Sequence, residues 1–232
     1  MNKQEIQDMI TRLLLGTERE GMPALVEYME KEGFFEAPAS TKFHGSYPGG
    51  LADHSLEVYT QLGFFALTLA LDKDTSAGKK PLKIEKDTCI VAALLHDVCK
   101  IGAYIPTPDG KNDYKWNKAQ PKGHAILSIK RIGKYIKLTE LETMLIRYHM
   151  GIWGLNEFYE KGSWQSGEFP LRGDHSKDED MTKEESQKTR YGKSMANAYY
   201  HNPICFFMHA ADMIVAAKEK AKEIADVEGP PL

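Results

Sequence analysis

Thr88-Cys-Ile-Val-Ala-Ala-Leu-Leu-His96-Asp97-Val-Cys-Lys100 is the stretch on which the reading of this chain turns. Its apolar residues continue with almost no polar face, so a helix over residues 85–101 is expected to be buried nearly all round. That helix ends in a histidine and an aspartate, with a lysine three residues on. Aspartate is almost never fully buried unless it is paired or bound to a metal. Adjacent helical residues point about 100° apart, so His96 and Asp97 can grip one ion from neighbouring directions. Lys100, three residues after Asp97 and four after His96, shares their face. Imidazole with carboxylate suits Mn, Fe, Zn or Ni better than Ca, with Mg also admissible. For the dipeptide alone, a capped helix end with a hydrogen-bonded His–Asp pair is the plainer alternative.

The regions on either side read as helical. Residues 2–15 place Ile6, Met9, Ile10, Leu13 and Leu14 at helical spacing. Pro23 suits the first turn of a second helix, and Gly33 is placed to end it. Residues 36–50, with Pro38, Gly45, Pro48, Gly49 and Gly50, read as a loop, and a long helix is expected from Leu51 to Leu71. Residues 72–83 read as a polar connection. Beyond Lys100, Tyr104, Ile105, Tyr114 and Trp116 flank Pro108-Asp109-Gly110, which predicts a small β-hairpin. Helices are expected over 122–136 and 139–150, the second opened by the capping box Thr139–Glu142. Residues 151–181 read as a long loop or lid. Thr182 with Glu185 opens another helix, and Asn202-Pro203 starts the last. The fold class is all-α: a helical bundle with a small β-hairpin insertion. It divides into a helical N-terminal extension, residues 1–40, and a main domain, residues 41–232.

Composition narrows the function classes. Apolar residues make up 42% and charged residues 27% of 232, an ordinary globular balance, and the net charge is −3. A protein that holds nucleic acid through many phosphates usually carries a basic excess, so any nucleic-acid role is confined to a site. The polar start of the chain is no secretory signal, and no apolar run suits a membrane span. Three cysteines without a close pair argue against a disulfide framework or a zinc ribbon. The cytoplasm is the expected compartment.

Two further residues join the His–Asp pair. His54 lies early in the preceding helix, within Gly49-Gly50-Leu51-Ala52-Asp53-His54, and Asp212 lies inside the last apolar helix, where an acid needs a partner. The order H…HD…D resembles the HD-domain superfamily of metal-dependent phosphohydrolases. The resemblance runs over about residues 41–220. It is carried by His44-Gly-Ser-Tyr-Pro-Gly-Gly-Leu-Ala-Asp-His54, Ala93-Leu-Leu-His96-Asp97-Val-Cys-Lys100, Gly123-His124, Arg147-Tyr-His149-Met-Gly151 and Ala211-Asp212-Met213. Locally it is most similar to the HD domains of bacterial 3′–5′ exoribonucleases and their stand-alone relatives. It implies an HD-domain helical bundle in which His54, His96, Asp97 and Asp212 bind a divalent metal. In some subgroups histidines at the positions of His124 and His149 hold a second metal with the HD aspartate bridging; in others they meet substrate phosphate. Both roles stay open here, so one or two ions are expected.

Other residues take roles around that set. Lys100 is read as a cation for phosphoryl oxygens, with a salt bridge as its alternative. His44, in the loop before the first ligand helix, is a candidate substrate contact. His209, one turn before Asp212, is either a support for the ligands or a core residue. His175 and His201 fit no motif. Cys99 stands where many HD domains have Gly and reads as a small buried hydrophobe. Trp116, Trp153, Trp164, Tyr104 and Tyr114 are either a base-stacking surface or ordinary packing. Gly151-Ile-Trp-Gly in place of Gly-Tyr-Pro weighs against the cyclic-dinucleotide subgroup named for those letters. Helical residues stand where the exoribonucleases carry a β-barrel, which weakens the exonuclease reading. The expected function is metal-dependent hydrolysis of a phosphomonoester or phosphodiester, with Asp97 and Lys100 catalytic and with His44, Lys100, His124 and His149 facing substrate. The substrate would be a phosphorylated small molecule, a nucleotide or a short single-stranded nucleic acid. The alternative is a nucleotide-sensing or partner-binding module with a structural metal.

Overall fold

The computed structural model describes residues 1–41, 44–71, 84–108, 114–121, 123–151 and 183–228. Among them run α1 (Lys3–Leu15), α2 (Met22–Lys31), α3 (Gly50–Leu71), α4 (Lys86–Leu95), β1 (Tyr104–Pro106), β2 (Tyr114–Trp116), α5 (His124–Ile132), α6 (Glu140–Tyr148), α7 (Lys183–His201) and α8 (Ile204–Glu228). The all-helical expectation holds, with one small antiparallel hairpin pairing Tyr104 with Trp116 and Pro106 with Tyr114. Most of the 151–181 segment, Trp153, Trp164, His175, the tip residues Asp109 and Gly110, and Thr182 lie outside the described residues. No helix among the described residues is long and apolar enough to cross a membrane.

Helix α4 is the hub. Every residue from Thr88 to Leu95 is buried, as expected of a helix without a polar face. It packs on α3 and α6, while α8 closes over α3 and α6. The first two helices belong to the same packed interior: Ile6, Ile10, Leu14, Met22, Leu25 and Met29 share one core with Leu51, Val91, Leu94 and Leu145. Asn2 caps α1 and Thr139 caps α6, each in a reciprocal box with a glutamate three residues on.

One expected helix is shorter than its pattern. Residues 85–101 form no single helix: α4 stops at Leu95, and a single 3₁₀ turn follows over Val98–Lys100. Groups from outside the segment hold this break. Ser128 Oγ accepts from Cys99 N at 3.1 Å, and Arg131 Nη1 donates to Val98 O at 3.1 Å and to Ile101 O at 3.0 Å. Arg131 thus satisfies carbonyls of the 3₁₀ turn and of Ile101 just after it, which holds the turn in place without a glycine.

The loop leading into α3 does require glycine. Gly45 sits at φ +54, and a Cβ on Gly50 would fall 2.1 Å from Gly45 O. This close backbone approach brings the loop that carries His44 over the start of α3, which carries His54.

Candidate metal centre

The chain delivers its histidines and acids at element ends and on one helix face. His96 caps the C-terminus of α4 and Asp97 follows it into the 3₁₀ turn. His124 is the first residue of α5 and His149 caps the end of α6. His54 comes from α3 and Asp212 from α8. His54, His96 and His149 have no exposed surface, and Asp97 and Asp212 are 1% and 4% exposed. The six residues expected as ligands from the sequence lie together. Neighbouring imidazole rings stand 5.5 Å apart for His54–His96, 4.8 Å for His96–His149 and 5.2 Å for His124–His149, centroid to centroid.

Each of the four rings is held at Nδ1 and turns Nε2 inward. His54 Nδ1 donates to Glu219 Oε2 at 3.3 Å, His96 Nδ1 to Ala93 O at 2.8 Å and His149 Nδ1 to Ile146 O at 2.6 Å. His124 Nδ1 meets Cys99 Sγ at 3.0 Å. The Nε2 atoms converge on the two aspartates. His54 Nε2 lies 3.0 Å from Asp212 Oδ1, His96 Nε2 3.3 Å from Asp97 Oδ2, and His124 and His149 Nε2 2.8 Å and 3.6 Å from Asp97 Oδ1. An anchored Nδ1 with Nε2 turned inward is how proteins orient metal-binding imidazoles.

Three of these buried inward atoms, His96 Nε2, His149 Nε2 and Asp97 Oδ1, have no aligned hydrogen-bond partner among the described residues. His124 Nε2 is near Asp97 Oδ1 but off the direction of a good bond. Leaving such atoms unpaired costs roughly 1–3 kcal/mol each, so their convergence fits a bound ion. The overlapping sets His54–His96–Asp97, His96–His149–Asp212 and Asp97–His124–His149 each bring their ligand atoms within 4.8 Å of one another. The donors are nitrogen and carboxylate oxygen, the mixture that suits transition metals.

Charge in the centre is strongly coupled. Burial opposes ionisation of Asp97, yet Lys100, His96 and His124 outweigh it and hold its carboxyl well below the usual range. Burial likewise opposes the charge on His54, but its bonds to Asp212 and Glu219 raise it to about 9. His96 is lowered by burial. His124 is raised, since Cys99 and Asp97 together exceed the cost of burying it.

Lys100 is 8% exposed and its Nζ sits 2.6 Å from Asp97 Oδ2. It is thus a salt-bridge partner and also a wall residue of the adjoining cavity. The His44 ring lies tilted beside that of His54 at 5.0 Å between ring centroids, and its buried Nε2 has no hydrogen-bond partner among the described residues. Burial and the nearby Lys100 charge lower His44 to about 4. His209 Nδ1 donates to His149 O at 2.6 Å, and a Cβ on Gly151 would come within 2.6 Å of the His209 ring, so that ring braces the end of α6. His201 is exposed and apart from the centre.

Two residues at the centre escape a reading of the sequence. Glu219 lies seven residues after Asp212, two turns along the same face of α8, and that spacing is its one legible sign. Cys99, read as a small hydrophobe, turns its thiol to His124.

Comparisons with known proteins bear on the family of the chain. Residues 51–193 match the HD domain family. A stretch of 79 residues is 38% identical to a protein of Methanocaldococcus jannaschii named dihydroneopterin 2′,3′-cyclic phosphate phosphodiesterase. That stretch is 34% of this chain and 29% of that protein's length. No solved structure matches the chain.

Proposed function

The chain belongs to the HD-domain family, and from that premise we propose that it is a metal-dependent phosphohydrolase acting on a phosphomonoester or phosphodiester. The observation that carries the proposal is the convergence of buried, unpaired His96 Nε2, His149 Nε2 and Asp97 Oδ1. His54, His96, Asp97 and Asp212 would hold one ion. Asp97, His124 and His149 would hold a second, because the two oxygens of Asp97 face different partners: Oδ2 faces His96, and Oδ1 faces His124 and His149. A divalent ion there supplies a nucleophile from water near neutral pH and draws charge from the phosphoryl oxygens.

The chain's own residues do the rest. Lys100 is a fixed positive charge at the cavity, held by Asp97 and available to a phosphoryl oxygen. His44 lines the same cavity with Nε2 unpaired and can donate to a non-bridging or leaving oxygen. The anchored Nδ1 atoms keep the imidazoles from rotating as substrate enters. A purely structural metal site is closed on all sides, whereas Asp97, His124 and Asp212 here border a cavity of about 420 Å³.

The partial relative's name makes a 2′,3′-cyclic phosphate the first ester to test. The motif likeness to exoribonuclease HD domains adds a short single-stranded oligonucleotide. The test is turnover of a panel of phosphomonoesters, cyclic phosphates and oligonucleotides by protein loaded in turn with Mn²⁺, Fe²⁺, Zn²⁺, Ni²⁺ or Mg²⁺. Turnover that disappears with chelator and returns with metal is the expected result. Protein that holds metal stoichiometrically and cleaves nothing in the panel would instead favour the sensing or partner-binding alternative.

A further inference from the structure

We propose that the β1–β2 hairpin is the specificity element of this site. Tyr104 and Trp116 form a stacking wall for one flat, uncharged ring, so the substrate carries a single phosphoryl group and one such ring. The proposal rests on the hydrolytic reading for the reacting end of the substrate and on the cavity for the other end.

The cavity of about 420 Å³ is lined by two chemistries. Asp97, Lys100, His124 and Asp212 make it ionic; Tyr104, Trp116, Leu127, Met150 and Met213 make it apolar. Small-molecule sites are commonly built this way, with a few convergent polar groups and a larger apolar wall that buries the ligand.

Tyr104 and Trp116 are not needed to fill the interior, since neither belongs to the packed hydrophobic clusters. They stand directly opposite each other in the hairpin register, with rings edge to face at 5.9 Å and 78°. Their backbone is fixed to the ionic side by short links. Ala103 N donates to Lys100 O at 2.9 Å, Asn117 N to Ala103 O at 2.8 Å, and Asn117 Nδ2 to Gly102 O at 3.0 Å. Thr41 O accepts from Tyr114 N at 3.4 Å, tying the second strand to the loop that carries His44. The aromatic wall is therefore held at a set distance from Lys100 and Asp97, as selection by size and shape requires. A flat ring stacks on an aromatic face whatever its hydrogen-bonding edge.

Charge limits the other end of the substrate. Among the described residues Lys100 is the one lysine or arginine lining the cavity, and it is already paired with Asp97. A polyphosphate or an extended nucleic acid is normally met by several cations. One phosphoryl group suits this lining.

The test uses the full chain loaded with metal and two esters that share a reacting group. Guanosine 2′,3′-cyclic phosphate carries a flat ring; glycerol 1,2-cyclic phosphate carries none. Trp116→Ala should lower kcat/KM for the guanosine ester by about 10- to 100-fold, mainly through KM. The glycerol ester should be cleaved as by the wild type, and Trp116→Phe should restore most of the loss. Tyr104→Ala should give a smaller loss with the same selectivity. An equal loss on both esters, or no loss on either, overturns the proposal. If neither ester is cleaved by the wild type, the hydrolytic reading fails for these esters, and calorimetric binding of guanosine 3′-monophosphate decides the wall separately. Binding weakened by Trp116→Ala and restored by Trp116→Phe upholds the wall, and equal binding by wild type and Trp116→Ala removes it.

Discussion

Glu142 and Asp97 are buried to the same degree, 0% and 1% exposed, and their surroundings differ in kind. Glu142, in the first turn of α6, is closed. Arg19 Nη1 donates to its Oε2 at 2.8 Å, Arg19 Nη2 meets Oε1, and Thr139 N donates to Oε2 at 2.8 Å. Asp97 is open: Oδ2 is shared between Lys100 and His96, and Oδ1 has no aligned donor. A carboxylate that serves only the fold is saturated by protein donors, because a buried charge left uncompensated is strongly destabilising. Where saturation stops short and the neighbours are imidazoles turned inward, as at Asp97, the site is fit to take its missing partner from solution.

The largest effect should come from filling nothing where the ion belongs. Asp97→Ala should reduce metal content from about one or two ions per chain to none, and turnover should fall to background. Elemental analysis of protein purified without chelator checks it; substantial metal in the variant would contradict the ligand assignment. Next comes a crossed pair on the two cationic partners. In metal-loaded protein Lys100→Met should lower kcat/KM by roughly 10- to 1,000-fold with little change in melting temperature, because the bound ion would still offset the charge of Asp97 once its lysine partner is gone. Arg19→Met should do the reverse. It should cost about 3 kcal/mol, the low end for a broken buried pair, since about a fifth of the Arg19 side chain reaches solvent. In a chain of this size that is about 6–12 °C in melting temperature, with kcat/KM per folded molecule unchanged. The same pattern in both variants would erase the distinction between a closed and an open carboxylate. The smallest effect concerns the anchors. Glu219→Ala should weaken metal binding by about 10- to 100-fold, and Glu219→Gln by less, as read by competition with a chelating dye. Unchanged affinity would reduce Glu219 to a bystander.

How much of this was legible follows from where each determinant resides. Helices with their own caps could be read directly: Thr139 and Glu142 mark the start of α6, and Asn202-Pro203 precedes α8. The end of α4 could not, because the 3₁₀ turn that follows it is held by Ser128 and Arg131, about thirty residues away on α5. His96 and Asp97 stood out because an acid at the end of an apolar helix needs an explanation. His54 and Asp212 meet across 158 positions, and residue type and motif order brought them in, not periodicity. Cys99 was the least legible, since its thiol matters only through the ring of His124, 25 positions on. The closed pair was invisible for the same reason: nothing local links Arg19 to Glu142.

The double hold on His54 has a consequence for motion. Both nitrogens of that one ring from α3 are taken by α8, at Asp212 and Glu219. Peeling α8 away would strip both partners from a ring with no access to water, Glu219 at Nδ1 and, at Nε2, Asp212 or the ion they would share, so the two helices should open together rather than fray in turn. Amide protons flanking His54 and Asp212 would then exchange at a common rate, and an ion held through those two residues would lose both ligands in one opening.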